Sequence, residues 1–343
     1  MILLDPHPRP LELIFSAADK RRLEALGPVR WHDGAAPLAP EIVDALLPEM
    51  VALIGQTPLP KERLDRAPQL KFIANVESNF LPNIDYAECH RRNIHVIATS
   101  PVFSQPVAEM ALGMALGAAR GIPSADAAMR AGTESLYGVA DNFSCFLLQG
   151  KTMGLVGFGQ IGRALLPFLR PFQGRLLVHD PWIHPHGLVE NGVTPASLEE
   201  IFEQCRVVFL LAATTTDNRG AIGKKHFERM APGSVVVLVS RAGIVNYDEL
   251  LDAAASGRIK AAIDVHPEEP IPKNHRARAT PNTVLSAHRA GNLPEIWTEM
   301  GTRVVDDLEL VLRGLPPQRC QRAVLETVSK YRSLPVKEMA GNR

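Results

Sequence analysis

The sequence has no excess of charge of either sign and few cysteines. Its 343 residues hold 37 Lys and Arg against 37 Asp and Glu, so no net charge attracts it to nucleic acid or to an anionic membrane. The cysteines form no CxxC pair, which argues against a zinc knuckle or a disulfide framework. We expect a small-molecule partner, no metal site, and buried thiols in a reducing compartment at Cys89, Cys145, Cys205 and Cys320.

Long apolar runs are also missing. No stretch of about twenty uninterrupted apolar residues is present, and Met1–Pro8 lacks the basic and apolar regions of a secretion signal. We therefore expect a soluble, cytoplasmic protein with no membrane partner. Hydrophobic residues make up 46% of the chain, which is enough for two separate cores at this length.

What the sequence does contain is an alternation of short apolar runs with segments of helical period. This pattern predicts an α/β protein with doubly wound parallel sheets and helices on both faces. In the first hundred residues the predicted strands are Leu11–Phe15, Val51–Ile54, Lys71–Ala74 and Ile94–Ile97, with helices at Pro40–Leu47 and Asn83–Arg91.

The middle of the chain opens with a long helix and continues with a second series of strands. Ser104–Arg120 is rich in Ala, Met and Leu and predicts a largely buried helix, and the segment that follows it has no strong strand run. A last helix is predicted at Glu295–Arg313. The strands predicted between the two helices are Thr152–Val156, Leu176–His179, Val207–Leu211, Ser234–Val239, Ala261–Asp264 and Thr283–Ser286.

A GxGxxG motif stands directly after the first strand of the second series and before a helical segment. In that context Gly157 permits a tight turn, Gly159 lets the backbone approach a pyrophosphate, and Gly162 lets the helix pack on the strand. The N-terminus of the helix, at Gln160 and Ile161, attracts the phosphate charge. These residues predict a dinucleotide site.

The type of dinucleotide follows from the end of the next strand. Asp180 would accept hydrogen bonds from an adenosine ribose and would repel a 2′-phosphate. No Arg or Lys follows it in Pro181–Ile183 to offset that repulsion. We therefore expect NAD rather than NADP.

Three later segments each end a predicted strand with residues that can do chemistry: Ser240–Gly243, Asp264–Pro270 and Ser286–Gly291. Because open parallel sheets bind ligands at the carboxyl ends of their strands, we expect these segments to meet at one edge. They contribute an arginine, two glutamates and a histidine.

The sequence resembles the D-isomer-specific 2-hydroxyacid dehydrogenase family. The resemblance rests on the glycine motif, on the order Arg241, Glu269, His288, and on Val107–Glu109 at the start of the long helix, and it extends from Lys71–Gly314. It implies that Arg241 holds the substrate carboxylate and carbonyl, that Glu269 orients the imidazole, and that His288 is the acid/base. Those residue types suit the reaction, because an imidazolium can protonate the alkoxide that hydride transfer creates.

The charged residues beside the histidine suit the hydride-transfer reaction as well. A carboxylate beside an imidazole favours its protonated form and fixes its tautomer. A guanidinium binds a carboxylate with a planar fork and strengthens its hold as charge develops on the carbonyl oxygen. Glu268 competes with Glu269 for the place beside the imidazole, and we choose Glu269 because the family has its acid directly before the proline.

The resemblance also implies further cofactor contacts. Asp264 would hold the nicotinamide carboxamide, and the loop with Thr214 and Thr215 would lie beside the nicotinamide ribose, although a plain polar loop is an open alternative. Ser240 and Gly291 complete the expected cofactor-binding set.

The loop expected to bind the substrate departs from the family pattern. Family members use the backbone of a glycine-containing loop shortly before a triplet that stands here as Asn83–Asp85. The loop in this chain has no glycine, and its residues include Glu77, Ser78, Asn79 and Phe80. We expect a pocket unlike that for lactate or glyoxylate. Glu77 would hydrogen-bond hydroxyl or ammonium groups of the substrate, or it would pair with a cation such as Arg289. The alternative is that Glu77 points to solvent.

Two Rossmann-like or flavodoxin-like domains with a cleft between them follow from these assignments. Residues 1–103 with 296–343 would form the substrate-binding domain, and residues 104–295 the NAD-binding domain, including a dimerisation arm at 104–150. We expect the active site in the cleft, closure that excludes water, and a homodimer that pairs through the long helix and the arm.

The predicted function is an NAD-dependent oxidoreductase that transfers a hydride between NAD(H) and a small D-2-hydroxy acid or 2-oxo acid. An NADH-sensing interaction protein, like the co-repressors of this fold, stays an open alternative. Formate oxidation is disfavoured, because the related formate dehydrogenases have Gln where Glu269 stands.

Overall fold

A computed structural model describes residues 1–34, 36–76, 79–135 and 144–330. The chain divides into two compact units, one made of Met1–Phe103 with Asn292–Arg343 and the other of Ser104–Gly291. The boundary lies a little before the predicted one after residue 295. Asn292 belongs with the last helix, because its Oδ1 accepts a 3.0 Å hydrogen bond from Trp297 Nε1.

The first unit is built on a six-stranded sheet in the order β13-β5-β4-β3-β1-β2, in which only the pairing of β13 with β5 is antiparallel among the described strands. Strands and helices are numbered in chain order. The strands are β1 (Ile2–Asp5), β2 (Val29–Trp31), β3 (Ala52–Gly55), β4 (Phe72–Asn75), β5 (His95–Ala98) and β13 (Gln321–Arg322). The helices are α1 (Leu11–Ile14), α2 (Ala17–Ala25), α3 (Pro40–Leu46), α4 (Lys61–Asp65), α5 (Tyr86–Arg91), α13 (Pro294–Leu312) and α14 (Leu325–Val328).

Both faces of this sheet are buried. Along β1, Ile2 and Leu4 join the core that also contains Met300 of α13, whereas Leu3 joins the core on the opposite face with Leu47. Side chains alternate across a strand, so two apolar faces require helices on both sides. The predicted doubly wound architecture is confirmed here.

One predicted strand of this unit is wrong. Leu11–Phe15 was expected to be extended, but Leu11–Ile14 forms the helix α1. Its buried residues Leu11 and Ile14 are three apart and lie in the same core as Met300 of α13, a spacing that places them on one helical face. Burial against a neighbouring helix therefore decides the conformation of an apolar run too short to reveal its period.

The second unit is built on a seven-stranded sheet in the order β12-β11-β10-β9-β6-β7-β8, and every described pairing is parallel. The strands are β6 (Met153–Val156), β7 (Leu176–His179), β8 (Thr194–Pro195), β9 (Val207–Leu210), β10 (Ser234–Leu238), β11 (Ile259–Ile263) and β12 (Thr283–Leu285). The helices are α6 (Ser104–Arg120), α7 (Ile122–Ala131), α8 (Gln160–Leu169), α9 (Pro185–Glu190), α10 (Leu198–Gln204), α11 (Lys224–Phe227) and α12 (Tyr247–Ala255).

All six strands predicted for this region are present, and the long helix has the predicted bounds Ser104–Arg120. In the segment predicted as an arm, α7 has no buried residue, and residues 136–143 lie outside the described part of the chain. The short edge strand Thr194–Pro195 was missed, because two residues carry no periodic signal.

One of the four thiols differs from expectation. Cys89, Cys205 and Cys320 are buried, but Cys145 is only partly buried. It lies in a segment without strand or helix pairing, between the exposed residues Ser144 and Leu147.

Among the described residues, no helix combines the length and apolarity needed to cross a bilayer.

Candidate active site

The predicted site residues of the second unit follow successive strands of one sheet. Because all these strands are parallel, their carboxyl ends lie at one edge, where open α/β sheets bind their ligands. In the order of the sheet, the residues are His288 after β12, Asp264 and Glu269 after β11, Ser240 and Arg241 after β10, Thr214 and Thr215 after β9, Gly157 after β6 and Asp180 after β7.

The glycine motif forms the turn between β6 and α8. Gly157 has φ of 97°, and a Cβ there would lie 2.6 Å from the backbone nitrogen of Ala212. A Cβ on Gly162 would lie 2.9 Å from the Gly157 carbonyl oxygen, so the helix packs closely on the turn. A Cβ on Gly159 would meet no atom within 4 Å. The backbone at Gly159 is thus open to a ligand.

The N-terminus of α8 is suited to phosphate. The helix begins at Gln160, followed by Ile161, and its N-cap Gly159 supplies no side chain to the first N–H groups. Unpaired N–H groups and the helix dipole favour an anion at this position. The geometry fits the phosphates of a dinucleotide.

Asp180 is fixed beside this turn by two backbone donors. Its Oδ2 accepts a 2.8 Å hydrogen bond from the N–H of Phe158, and its Oδ1 accepts one of 2.9 Å from the N–H of Trp182. The carboxylate is thereby held at the end of β7, next to the glycine turn. This is where an adenosine ribose would be bound.

Two buried hydroxyls at the same edge have no hydrogen-bond partner among the described residues: Oγ1 of Thr214 and Oγ of Ser240. Buried polar groups are almost always paired, so two unpaired hydroxyls at the carboxyl ends of neighbouring strands fit a polar ligand. The backbone N–H of Thr215, by contrast, donates to Asn218 Oδ1 at 2.7 Å. Gly291 is the last residue of the unit.

His288 and Glu269 form a direct pair. His288 Nδ1 lies 2.6 Å from Glu269 Oε2, with side chains that are 45% and 34% exposed. A carboxylate only accepts hydrogen bonds, so Nδ1 carries the proton and Nε2 is the nitrogen that can exchange a proton with a substrate. Glu269, and not Glu268, makes this bond.

The pair keeps Glu269 ionised. Burial raises the pKa of Glu269, but the hydrogen bonds from His288 and from the backbone N–H of His266 lower it by more, so the pKa lies below its ordinary value. The His266 N–H is 2.9 Å from Glu269 Oε1. Both carboxylate oxygens are therefore held, one by the imidazole and one by the chain.

His288 is also held through its backbone. It has φ of 52°, in the left-handed region, and its N–H donates to the Asp264 carbonyl oxygen at 2.7 Å. The Asp264 carboxylate, which is fully buried, accepts the next two N–H groups, from Arg289 at 3.0 Å and from Ala290 at 3.2 Å. Three consecutive N–H groups thus point at one residue. The predicted contact of Asp264 with nicotinamide stays a prediction.

Arg241 lies at the end of β10, the strand beside β11. Its side chain is part-buried, and its Nη1 donates to the Ser240 carbonyl oxygen at 2.7 Å. The neighbouring strand ends thus place Arg241 on one side of Asp264 and the His288 segment on the other.

Two residues that sequence reasoning missed belong to this site: His266 and Tyr247. The Tyr247 hydroxyl is 2.6 Å from His266 Nδ1, and His266 Nε2 is 2.9 Å from the Ser286 carbonyl oxygen. His266 lies inside the segment that we singled out, two residues after Asp264. Its pairing with Tyr247, nineteen residues away, leaves no signal in the sequence.

The predicted substrate loop is only partly visible, because Glu77 and Ser78 lie outside the described residues. Phe80 is 4% exposed, and its ring packs edge-on against Tyr86 at 6.0 Å between centroids. It belongs to the core of the first unit. The roles of Asn79 and Phe80 towards a substrate stay predictions.

The family follows from comparison with known proteins. The model of the "D-isomer specific 2-hydroxyacid dehydrogenase, NAD binding domain" matches residues 112–290, more than half of the chain. This chain belongs to the D-isomer-specific 2-hydroxyacid dehydrogenases. The match spans the glycine turn and the three segments of the candidate site except their last residue, Gly291, and it confirms the predicted NAD cofactor.

Known relatives differ in how much of their own length this chain covers. A glyoxylate reductase of Thermococcus litoralis is 30% identical over 86% of this chain and 90% of its own. A D-3-phosphoglycerate dehydrogenase of Mycobacterium bovis is 29% identical over 89% of this chain, which spans only 57% of that relative. A crystal structure of a phosphoglycerate oxidoreductase from Rhizobium etli is 42% identical, covers 96% of this chain and 99% of its own, and has a TM-score of 0.85.

Proposed function

We propose that the protein is an NAD-dependent dehydrogenase of small D-2-hydroxy acids, with Arg241, Glu269 and His288 as its catalytic residues. The observation that carries this proposal is the 2.6 Å pair of His288 and Glu269, at the sheet edge that also holds the glycine turn and Asp180. Family membership supports the reaction class.

The residues divide the work as follows. His288 Nε2 gives a proton to the carbonyl oxygen during reduction and takes it back during oxidation. Glu269 fixes the tautomer and stabilises the imidazolium. Arg241 binds the substrate carboxylate and the oxygen on which charge develops.

NAD(H), when bound, accepts or supplies the hydride. Gly157, Gly159 and the N-terminus of α8 would hold its phosphates, Asp180 its adenosine ribose, and the hydroxyls of Thr214 and Ser240 its nicotinamide half. Because the Asp180 carboxylate is fixed beside the glycine turn, a 2′-phosphate bound next to it would meet a like charge. We therefore propose NAD rather than NADP.

We also propose a homodimer that pairs through α6 and α7. On α7, Ile122 is 57% and Met129 is 66% exposed, and they are seven positions apart in the chain, so they lie on one face of the helix. A helix without buried residues beside a packed unit needs a partner to cover its apolar side.

The unpaired cysteines fit a reducing compartment such as the cytoplasm.

The test is the oxidation of NADH, followed at 340 nm, with glyoxylate, hydroxypyruvate, phosphohydroxypyruvate and larger 2-oxo acids. We expect turnover by the wild type and a loss of at least about 1,000-fold in His288→Ala, because the general acid is gone. The variant should bind NADH as the wild type does. Intact NADH binding without turnover on any acid would favour the NADH-sensing protein instead.

A further inference from the structure

His266 makes three hydrogen bonds, one within its own segment and two to other segments of the second unit. Its backbone N–H donates to Glu269 Oε1, its Nε2 lies 2.9 Å from the Ser286 carbonyl oxygen, and its Nδ1 lies 2.6 Å from the Tyr247 hydroxyl. Ser286 stands two residues before His288. One residue therefore connects the segment that carries Glu269 with the segment that carries His288.

The direction of each bond follows from the chemistry of the partners. A carbonyl oxygen only accepts, so His266 Nε2 carries a proton, and in the neutral ring Nδ1 accepts from the Tyr247 hydroxyl. Burial raises the pKa of Tyr247 to about 12, so the hydroxyl keeps its proton. The chain of donors thus runs from Tyr247 through the imidazole to the Ser286 carbonyl.

This connection is buried, unlike the pair that it supports. His266 is 8% and Tyr247 is 7% exposed, whereas the side chains of His288 and Glu269 are 45% and 34% exposed. Hydrogen bonds shielded from water are stronger and leave a larger penalty when one partner is removed. An exposed pair needs such support to keep one geometry.

We propose that His266, with Tyr247 behind it, is a positioning residue that holds Glu269 and His288 in register for proton transfer. The proposal rests on the proposed dehydrogenase function. His266 does not touch the reacting atoms. It fixes the Glu269 carboxylate from one side and the peptide that precedes His288 by two residues from the other, so its loss should change the chemical step and leave cofactor binding unchanged.

The variant that isolates the imidazole is His266→Phe. It keeps a planar ring and the backbone N–H that bonds Glu269, but it removes the bonds to Ser286 and Tyr247. We expect kcat to fall about 10-fold, because small displacements of catalytic groups are costly, with the Kd for NADH unchanged. His266→Gln, whose amide can still donate to the Ser286 carbonyl, should recover most of that loss. Tyr247→Phe should lower kcat by about 2-fold to 3-fold, since only the outer bond is lost.

A double-mutant cycle with Glu269→Gln separates positioning from general structural damage. If His266 acts through the Glu269–His288 pair, His266→Phe should lower kcat by less than about 2-fold once Glu269 is already replaced. Equal losses in both backgrounds would overturn the proposal. So would a His266→Phe variant with a wild-type kcat.

Folding and basic activity have their own controls. Melting temperature and the Kd for NADH are measured for every variant. If His266→Phe does not fold, the same cycle is run with Tyr247→Phe, and an equal loss of kcat with and without Glu269→Gln overturns the proposal. Absence of turnover in the wild type would refute the proposed function itself, and His266 would then position no proton transfer.

Discussion

His288 has a backbone conformation that residues other than glycine rarely adopt, and Asp264 stabilises it. The left-handed φ of 52° costs about 1 kcal/mol or more at a non-glycine residue. It also turns the N–H groups of Arg289 and Ala290 towards one buried carboxylate. Consecutive N–H groups in such a turn form a cavity for an anion.

Asp264→Asn should therefore impair catalysis through His288. The amide nitrogen of Asn would face one of the two N–H donors, so the turn loses a charge-assisted bond and His288 shifts. We expect kcat to fall about 100-fold, with a Kd for NADH within about 3-fold of the wild type, measured by fluorescence titration. The matched control is Asp180→Asn, which should weaken NADH binding and change kcat little. A large rise in the Kd for NADH in Asp264→Asn would instead support the predicted carboxamide contact.

Glu269 should make the stability of the protein depend on acid pH. Its pKa in the folded protein lies below the ordinary 4.5, so its contribution to stability is complete above that value and is lost as the pH falls through the lower folded pKa. The free energies of unfolding in urea of the wild type and Glu269→Gln should differ by a constant amount above the ordinary pKa of 4.5 and converge as the pH falls through the lower folded pKa. The control is Glu268→Gln, which changes the neighbouring carboxylate. A constant difference between wild type and Glu269→Gln at all pH values would contradict the shift.

At the residue scale, the candidate catalytic residues could be predicted from the sequence, but the residues that hydrogen-bond to them could not. Arg241, Glu269 and His288 could be proposed because their order along the chain resembles a known family, and the choice of Glu269 over Glu268 agrees with the observed contact. Tyr247 and His266 could not, because a contact between a helix start and a loop depends on three-dimensional packing. The left-handed backbone conformation of His288 likewise could not be predicted from the sequence.

At the scale of elements, the strength of the apolar pattern decided what could be predicted. Six of the seven described strands of the second unit and the 17-residue helix α6 were predictable, because those strands are apolar runs and the helical period of α6 extends over its whole length. The four residues of α1 were not, and β1 and β2 were missed. These segments take their conformation from packing within the first unit rather than from local preference.

The packing of α13 on α1 gives a test at this scale. A Cβ on Gly301, in the middle of α13, would lie 2.1 Å from the Ile14 carbonyl oxygen. Gly301→Ala should therefore lower the free energy of unfolding by about 1–3 kcal/mol, in spite of the better helix propensity of Ala. Gly187→Ala in α9 is the control, because its Cβ would make only an ordinary van der Waals contact, 3.5 Å from Ile183 Cγ2; it should raise stability by about 0.5–1 kcal/mol. Thermal or urea unfolding measures both, and a stabilised Gly301→Ala would refute the close helix contact.

For the whole molecule, the proposed homodimer depends on the exposed apolar face of α7. A glutamate in the centre of an apolar interface must lose its hydration without gaining a partner, and this penalty exceeds what a contact of ordinary size can offset. Met129→Glu should therefore convert the dimer into a folded monomer, seen as a halved mass in light scattering after gel filtration. Val189→Glu is the matched control, because Val189 is 58% exposed on α9, outside the proposed interface, and it should leave the mass unchanged. A dimeric Met129→Glu would place the interface elsewhere, whereas a monomeric wild type would remove the homodimer altogether and leave the apolar face of α7 to another partner.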